Sequence, residues 1–208
     1  MAGITAVPHP SLMLDRFLSW LGGADAAAPA PAAERHVVRG VAVDVENSRP
    51  DIATADVLAR LDEALGLIER HQPWRLAHLR RDARRIRVAR FACRGAYFAD
   101  DRTVLTELTF LARRDISAAP VASSILHEGV HARVHAMGVV RRDETDLARE
   151  ERLCRRAELA FGRALPPELG APVVERALAT LDMDDADVAP AVDWNVAARR
   201  IDAVDRRG

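Results

Sequence analysis

The segment from Pro120 to Met137 constrains this chain more than any other part of it. Wound as a helix at about 100° per residue, it gathers Ser124, His127, Glu128, His131 and His135 into one sector. Leu126, Val130, Val134 and Met137 flank that sector on one side, and Val121, Ile125, Ala132 and Ala136 on the other. A helix that is apolar on both flanks belongs inside a core. Its single polar stripe then needs a cavity, a metal ion or dedicated partners, because burying unpaired imidazoles and a carboxylate is costly.

Metal chemistry accounts for the stripe. Residues four apart on a helix stand one above the other, with Cβ atoms about 5–6 Å apart. His127 and His131 can therefore converge on one zinc ion. Glu128 projects to the side of such an ion, where it can hold a water in the open fourth position and take its proton. Two neutral imidazoles and one carboxylate would leave a bound dication with net positive charge, and so with Lewis acidity.

The rest of the chain reads as one medium-sized domain with an appendage. Residues 10–22 suit a short amphipathic helix, and Ala24 to Ala33 an Ala/Pro-rich linker. Together they make residues 1–35 an N-terminal helix and linker, with the main domain over 36–208. The β-branched run from Val37 to Val45 predicts a strand, and Val57, Leu58, Leu61, Leu65 and Ile68 predict a helix over 54–71, limited by Pro73. Between Arg80 and Arg90, Ile86 and Val88 alternate with Arg85 and Arg87, which predicts a strand with one solvated basic face. Extended segments are expected at 96–98 and 103–111. Ser117 and Pro120 open the central helix and Gly138 stops it. Further helices are expected over 143–163, 171–181 and 193–206, with Pro166-Pro167 closing the first of them.

The motif His127-Glu128-Gly129-Val130-His131 resembles that of the zincin metallopeptidases, and the segment after it resembles the gluzincin branch. In that branch a glutamate on a second helix supplies the third metal ligand. The corresponding residue here is Glu151, 151 − 131 = 20 positions after His131, with Glu150 a neighbouring candidate. Glu151 is favoured because Glu144 and Glu158 lie seven residues either side of it and share its helix face. The resemblance covers about residues 85–163. It implies an α+β, zincin-like fold, in which a small mixed or antiparallel sheet packs on a central active-site helix and further C-terminal helices. The implied activity is that of a zinc-dependent hydrolase, a metallopeptidase with a zinc-activated water and Glu128 as general base. The implied metal ligands are His127, His131 and Glu151, and the implied partner is a peptide or protein substrate. The strand over 103–111 would then be the sheet edge to which a peptide adds.

Three features depart from the family pattern or lie outside it. The position four residues after Glu151, where gluzincins often carry an aspartate that orients a metal histidine, is Arg155, so that Glu158 becomes the candidate for that task. No residue is marked as the oxyanion partner, for which Tyr97, His135, Arg155 and Arg156 are candidates. His135 follows His131 by four residues on the same helix, which suits a cleft-wall role better than a third ligand, and Cys93 and Cys154 read as packed thiols.

Composition narrows the alternatives. The chain contains no lysine, which excludes Schiff-base chemistry and a P-loop lysine, and its net charge of −1 argues against nucleic-acid binding. Two separated cysteines suit a reducing compartment, and the broken apolar run Leu12–Leu21 is too short to span a bilayer, so we read the chain as cytoplasmic. Two further readings stay open: a zinc-binding regulatory or structural domain with little or no peptidase activity, and an Arg-rich nucleic-acid module carrying an incidental motif.

Overall fold

In the computed structural model, which describes residues 32–140, 143–181 and 183, the chain enters a sheet at Glu34. The helices expected over 10–22 and 193–206 lie outside the described residues, as does the linker up to residue 31. Strands β1 (Glu34–Val38) and β2 (Val41–Val45) form an antiparallel hairpin. Its two-residue turn, Arg39-Gly40, has both φ angles positive (46° and 72°), which matches the twist of the flanking strands.

Helices α1 (Thr54–His71) and α2 (Pro73–Asp82) then carry the chain to β3 (Arg85–Ala89), which runs parallel to β2. The expected 54–71 helix is present, with Val57, Leu61, Leu65 and Ile68 buried. Helix α2 was not foreseen: Pro73 ends one helix and opens the next from its N1 position, where a missing N–H costs nothing. Strand β4 (Gly95–Phe98) and strand β5 (Thr103–Glu107) complete a five-stranded mixed sheet in the order β1-β2-β3-β5-β4.

Three strand expectations need correcting. The Val37–Val45 run is not one strand, because Arg39-Gly40 turns it into the β1–β2 hairpin. The 103–111 segment does not run on as one strand, and it is not the sheet edge. Strand β5 lies between β3 and β4 with all five residues buried, and β4 is the edge. At Glu107 the chain turns into the short helix α3 (Leu108–Ala112), because the Glu107 carboxylate accepts hydrogen bonds from the Phe110 N–H (2.7 Å) and the Thr109 hydroxyl (2.6 Å). The β-forming side chains of Thr109 and Phe110 concealed that cap. The third correction concerns the basic face of β3. Arg85 pairs with Asp44 of β2 (3.1 Å) and Arg87 with Glu46 just past its end (2.6 Å), so these arginines are neutralised rather than left in water.

Helix α4 (Ala118–Ala136), capped by the Ser117 hydroxyl, is the central helix and lies against β4 and β5. Val121, Ile125, Leu126, Ala132 and Val134 are all buried on it, whereas Met137 past its end is exposed. Helices α5 (Glu144–Ala164) and α6 (Pro167–Thr180) follow. Pro167 opens α6 four residues before the expected start at 171, again from the N1 position. At the α5–α6 turn a Cβ on Gly170 would stand 2.1 Å from the Gly162 carbonyl oxygen, so only glycine permits this approach. The fold is thus α+β, with six helices and one mixed sheet among the described residues, and no described helix is long and apolar enough to cross a membrane.

Candidate metal centre

Helices α4 and α5 pack side by side and bring their polar stripes together. From α4 come His127, Glu128 and His131; from α5 come Glu150, Glu151, Cys154 and Glu158, which recur at the three- and four-residue intervals of one helix face. The two imidazoles stand with ring centroids 5.1 Å apart. Their Nε2 atoms share one carboxylate: Glu151 Oε2 lies 3.2 Å from His127 Nε2, and Glu151 Oε1 lies 3.1 Å from His131 Nε2. Each Nδ1 atom faces a different carboxylate, His127 that of Glu158 at 2.9 Å and His131 that of Glu150 at 2.6 Å.

This arrangement fixes the imidazoles from behind at Nδ1 and turns both Nε2 atoms inward to the shared Glu151 carboxylate, the pattern usual where histidine binds a metal. A tetrahedral zinc site with bonds of about 2.0–2.1 Å to nitrogen and oxygen holds those ligand atoms about 3.3 Å apart. The two Nε2–Glu151 separations are close to that value. His127, His131 and Cys154 also form a group whose donor atoms all lie within 4.8 Å of one another. Those three side chains thus lie close enough together to hold one metal ion, while Glu151 meets the two rings with a different oxygen each.

Charge points the same way. Four carboxylates, those of Glu128, Glu150, Glu151 and Glu158, surround two imidazoles in a largely buried space. Burial opposes protonation of His127, yet hydrogen bonds to Glu151 and Glu158 outweigh it and hold the ring's pKa well above the usual histidine range. His131 is raised in the same way against burial, by Cys154, Glu150 and Glu151. Burial raises Glu151 as well, but the two imidazoles dominate and keep its carboxyl well below the ordinary range. The cluster thus demands compensating positive charge. Protons on both rings supply it, and a dication between the Nε2 atoms would supply the same charge with both rings neutral.

Glu128 is buried beside this cluster, under the edge strand. Burial raises its pKa, and the neighbouring His127 and His131 partly oppose that. A Cβ on Gly95, the first residue of β4, would lie 3.0 Å from Glu128 Oε1 and 2.9 Å from the Ser124 hydroxyl. The absence of a side chain at Gly95 is what lets β4 pass so close to the carboxylate. Further along β4 the Tyr97 hydroxyl meets His135 Nδ1 at 2.9 Å, so His135 stands on the wall formed with the edge strand.

Of the residues singled out from sequence, His127, His131 and Glu151 come together at one point, with Glu128 beside them. Glu150 and Glu158 are both engaged, each orienting one imidazole. Cys154 is buried with its sulfur 3.5 Å from His131 Nε2, whereas Cys93 is exposed and donates to the Gly95 carbonyl. Arg155 turns away from the cluster: its guanidinium donates to the carbonyls of Thr180 and Met183. Arg156 is exposed, and the Glu144 side chain lies outside the described residues. Gly95 was missed, and the only available signal for it was a glycine opening an extended segment. No protein-family model, curated protein or solved structure matches this chain.

Proposed function

We propose that the chain is a zinc-dependent hydrolase, most simply a metallopeptidase of the gluzincin type. The observation that carries this reading is the pair of carboxylate-backed histidines that share Glu151, with the buried Glu128 next to them. His127, His131 and Glu151 are the residues that hold the ion. Zinc, when bound there, supplies a Lewis acid that polarises a carbonyl and acidifies water.

The chain's own groups do the rest. Glu128 accepts the proton of the attacking water and delivers it to the leaving amine. Its burial keeps competing solvent from the carboxylate. Strand β4 is the sheet edge among the described residues and lies beside α4, where an extended peptide can add through backbone hydrogen bonds. Tyr97, held by His135 on that strand, is the candidate donor to the oxygen that becomes negative in the transition state. Glu150 and Glu158 keep the imidazoles turned so that Nε2 faces inward.

The zinc-loaded protein is expected to cleave members of a broad peptide library, as read by mass spectrometry of the products. A chelator should stop the cleavage and added zinc should restore it; a library left intact by the zinc-loaded protein would contradict the proposal. Gly95→Ala provides a more local test. Its methyl group would press on Glu128 and Ser124, both of which can yield, so the fold and the metal content should persist. The displaced carboxylate is expected to lower kcat/KM roughly tenfold to a hundredfold. Unchanged kcat/KM would show that the approach of β4 does not position Glu128.

A further inference from the structure

The thiol of Cys154 is fully buried, on the face of α5 that carries Glu151 and Glu158. A buried cysteine with only a packing role turns its sulfur into apolar neighbours. Here the sulfur lies 3.5 Å from His131 Nε2, the nitrogen that also meets Glu151. With bonds of about 2.3 Å to sulfur and 2.0–2.1 Å to nitrogen, a tetrahedral zinc site sets those two ligand atoms about 3.6 Å apart. The sulfur is thus as well spaced from His131 as Glu151 is. The donor atoms of His127, His131 and Cys154 moreover all lie within 4.8 Å of one another.

We propose that Cys154 is a fourth protein donor to the centre, so that zinc held by His127, His131 and Glu151 is closed off by the Cys154 thiolate until that thiolate is displaced. The inference rests on the metal-centre reading above. On binding, the Cys154 S–H bond breaks, the sulfur–metal bond forms and the proton leaves to solvent. One thiolate and one carboxylate cancel the charge of a dication, which weakens its Lewis acidity without abolishing it. The sulfur thus fills the fourth position at rest, and in turnover water takes that position by displacing the sulfur, whose thiolate regains a proton from solvent.

Cobalt(II) titration of the metal-free full chain tests this, because a cobalt–thiolate bond gives a near-ultraviolet sulfur-to-metal band while the visible bands report binding alone. Wild type and Cys93→Ala are expected to gain both sets of bands in step, up to one equivalent. Cys154→Ala should keep the visible bands and lose the sulfur band. Visible bands without a sulfur band in wild type would overturn the role of Cys154 and leave the metal centre standing. Loss of the sulfur band in Cys93→Ala would assign the sulfur to the other cysteine and equally overturn it. No cobalt uptake by wild type would overturn both readings.

Discussion

Glu128→Gln is expected to keep zinc stoichiometric and to lower kcat about a thousandfold, within the range of roughly 10²–10⁴ typical of a general base. Glutamine matches glutamate in shape, so it fits under Gly95 without a new clash. It cannot accept a proton from water, and that is the step assigned to Glu128. Both rings are held by Glu150, Glu151 and Glu158, so metal binding should survive. The substitution also removes a buried charge whose pKa burial has raised, so the thermal midpoint should not fall. Kinetics on a peptide found in the library, with zinc content measured on the same sample, check this. Turnover within a few-fold of wild type would remove Glu128 from the role.

Glu107→Ala is expected to be the most damaging single change to stability, at about 3–5 kcal/mol. Glu107 and Arg90 are both largely buried and form an ion pair, and the Glu107 carboxylate also receives the Phe110 N–H and the Thr109 hydroxyl. Removing it takes the carboxylate away from the largely buried Arg90 guanidinium, which keeps the Thr109 hydroxyl, and uncaps α3 at the point where β5 turns into helix. Against a typical total of about 5–15 kcal/mol, that loss is large. Denaturant unfolding of the two chains measures it, and the double variant with Arg90→Ala should recover part of the loss. A shift below about 1 kcal/mol would mean that water or another group replaces the carboxylate.

The central helix was legible because its pattern is redundant: two apolar flanks and one polar stripe agree on period, face and burial, and Ser117 and Gly138 mark the ends. The stretch from Pro73 to Glu107 was less so. In α2 the apolar residues Leu76 and Leu79 are separated by arginines, and the alternation beyond Arg84 drew the strand reading backwards over Arg80–Asp82. In β5 the same β-forming residues continue past the strand, and only a side-chain cap, which depends on where Glu107 points, breaks the run. The centre itself was read in outline from spacing. The choice between Glu150 and Glu151 was posed as one or the other, but an imidazole has donors on two sides. Adjacent residues on α5 reach both, Glu151 at Nε2 and Glu150 at Nδ1 of His131. Burial of Cys154 was foreseen, but its approach to His131 follows from the crossing of α4 and α5, which no linear pattern encodes.

The metal centre is the claim on which the others depend, and metal content tests it most directly. Wild type, His131→Ala and Glu151→Ala, each purified in zinc-containing buffer, dialysed and analysed for metal, should give one zinc per chain in wild type, its loss in His131→Ala and a reduced content in Glu151→Ala, where the Cys154 sulfur remains. Zinc-free wild type, or full zinc retained in His131→Ala, would contradict the account.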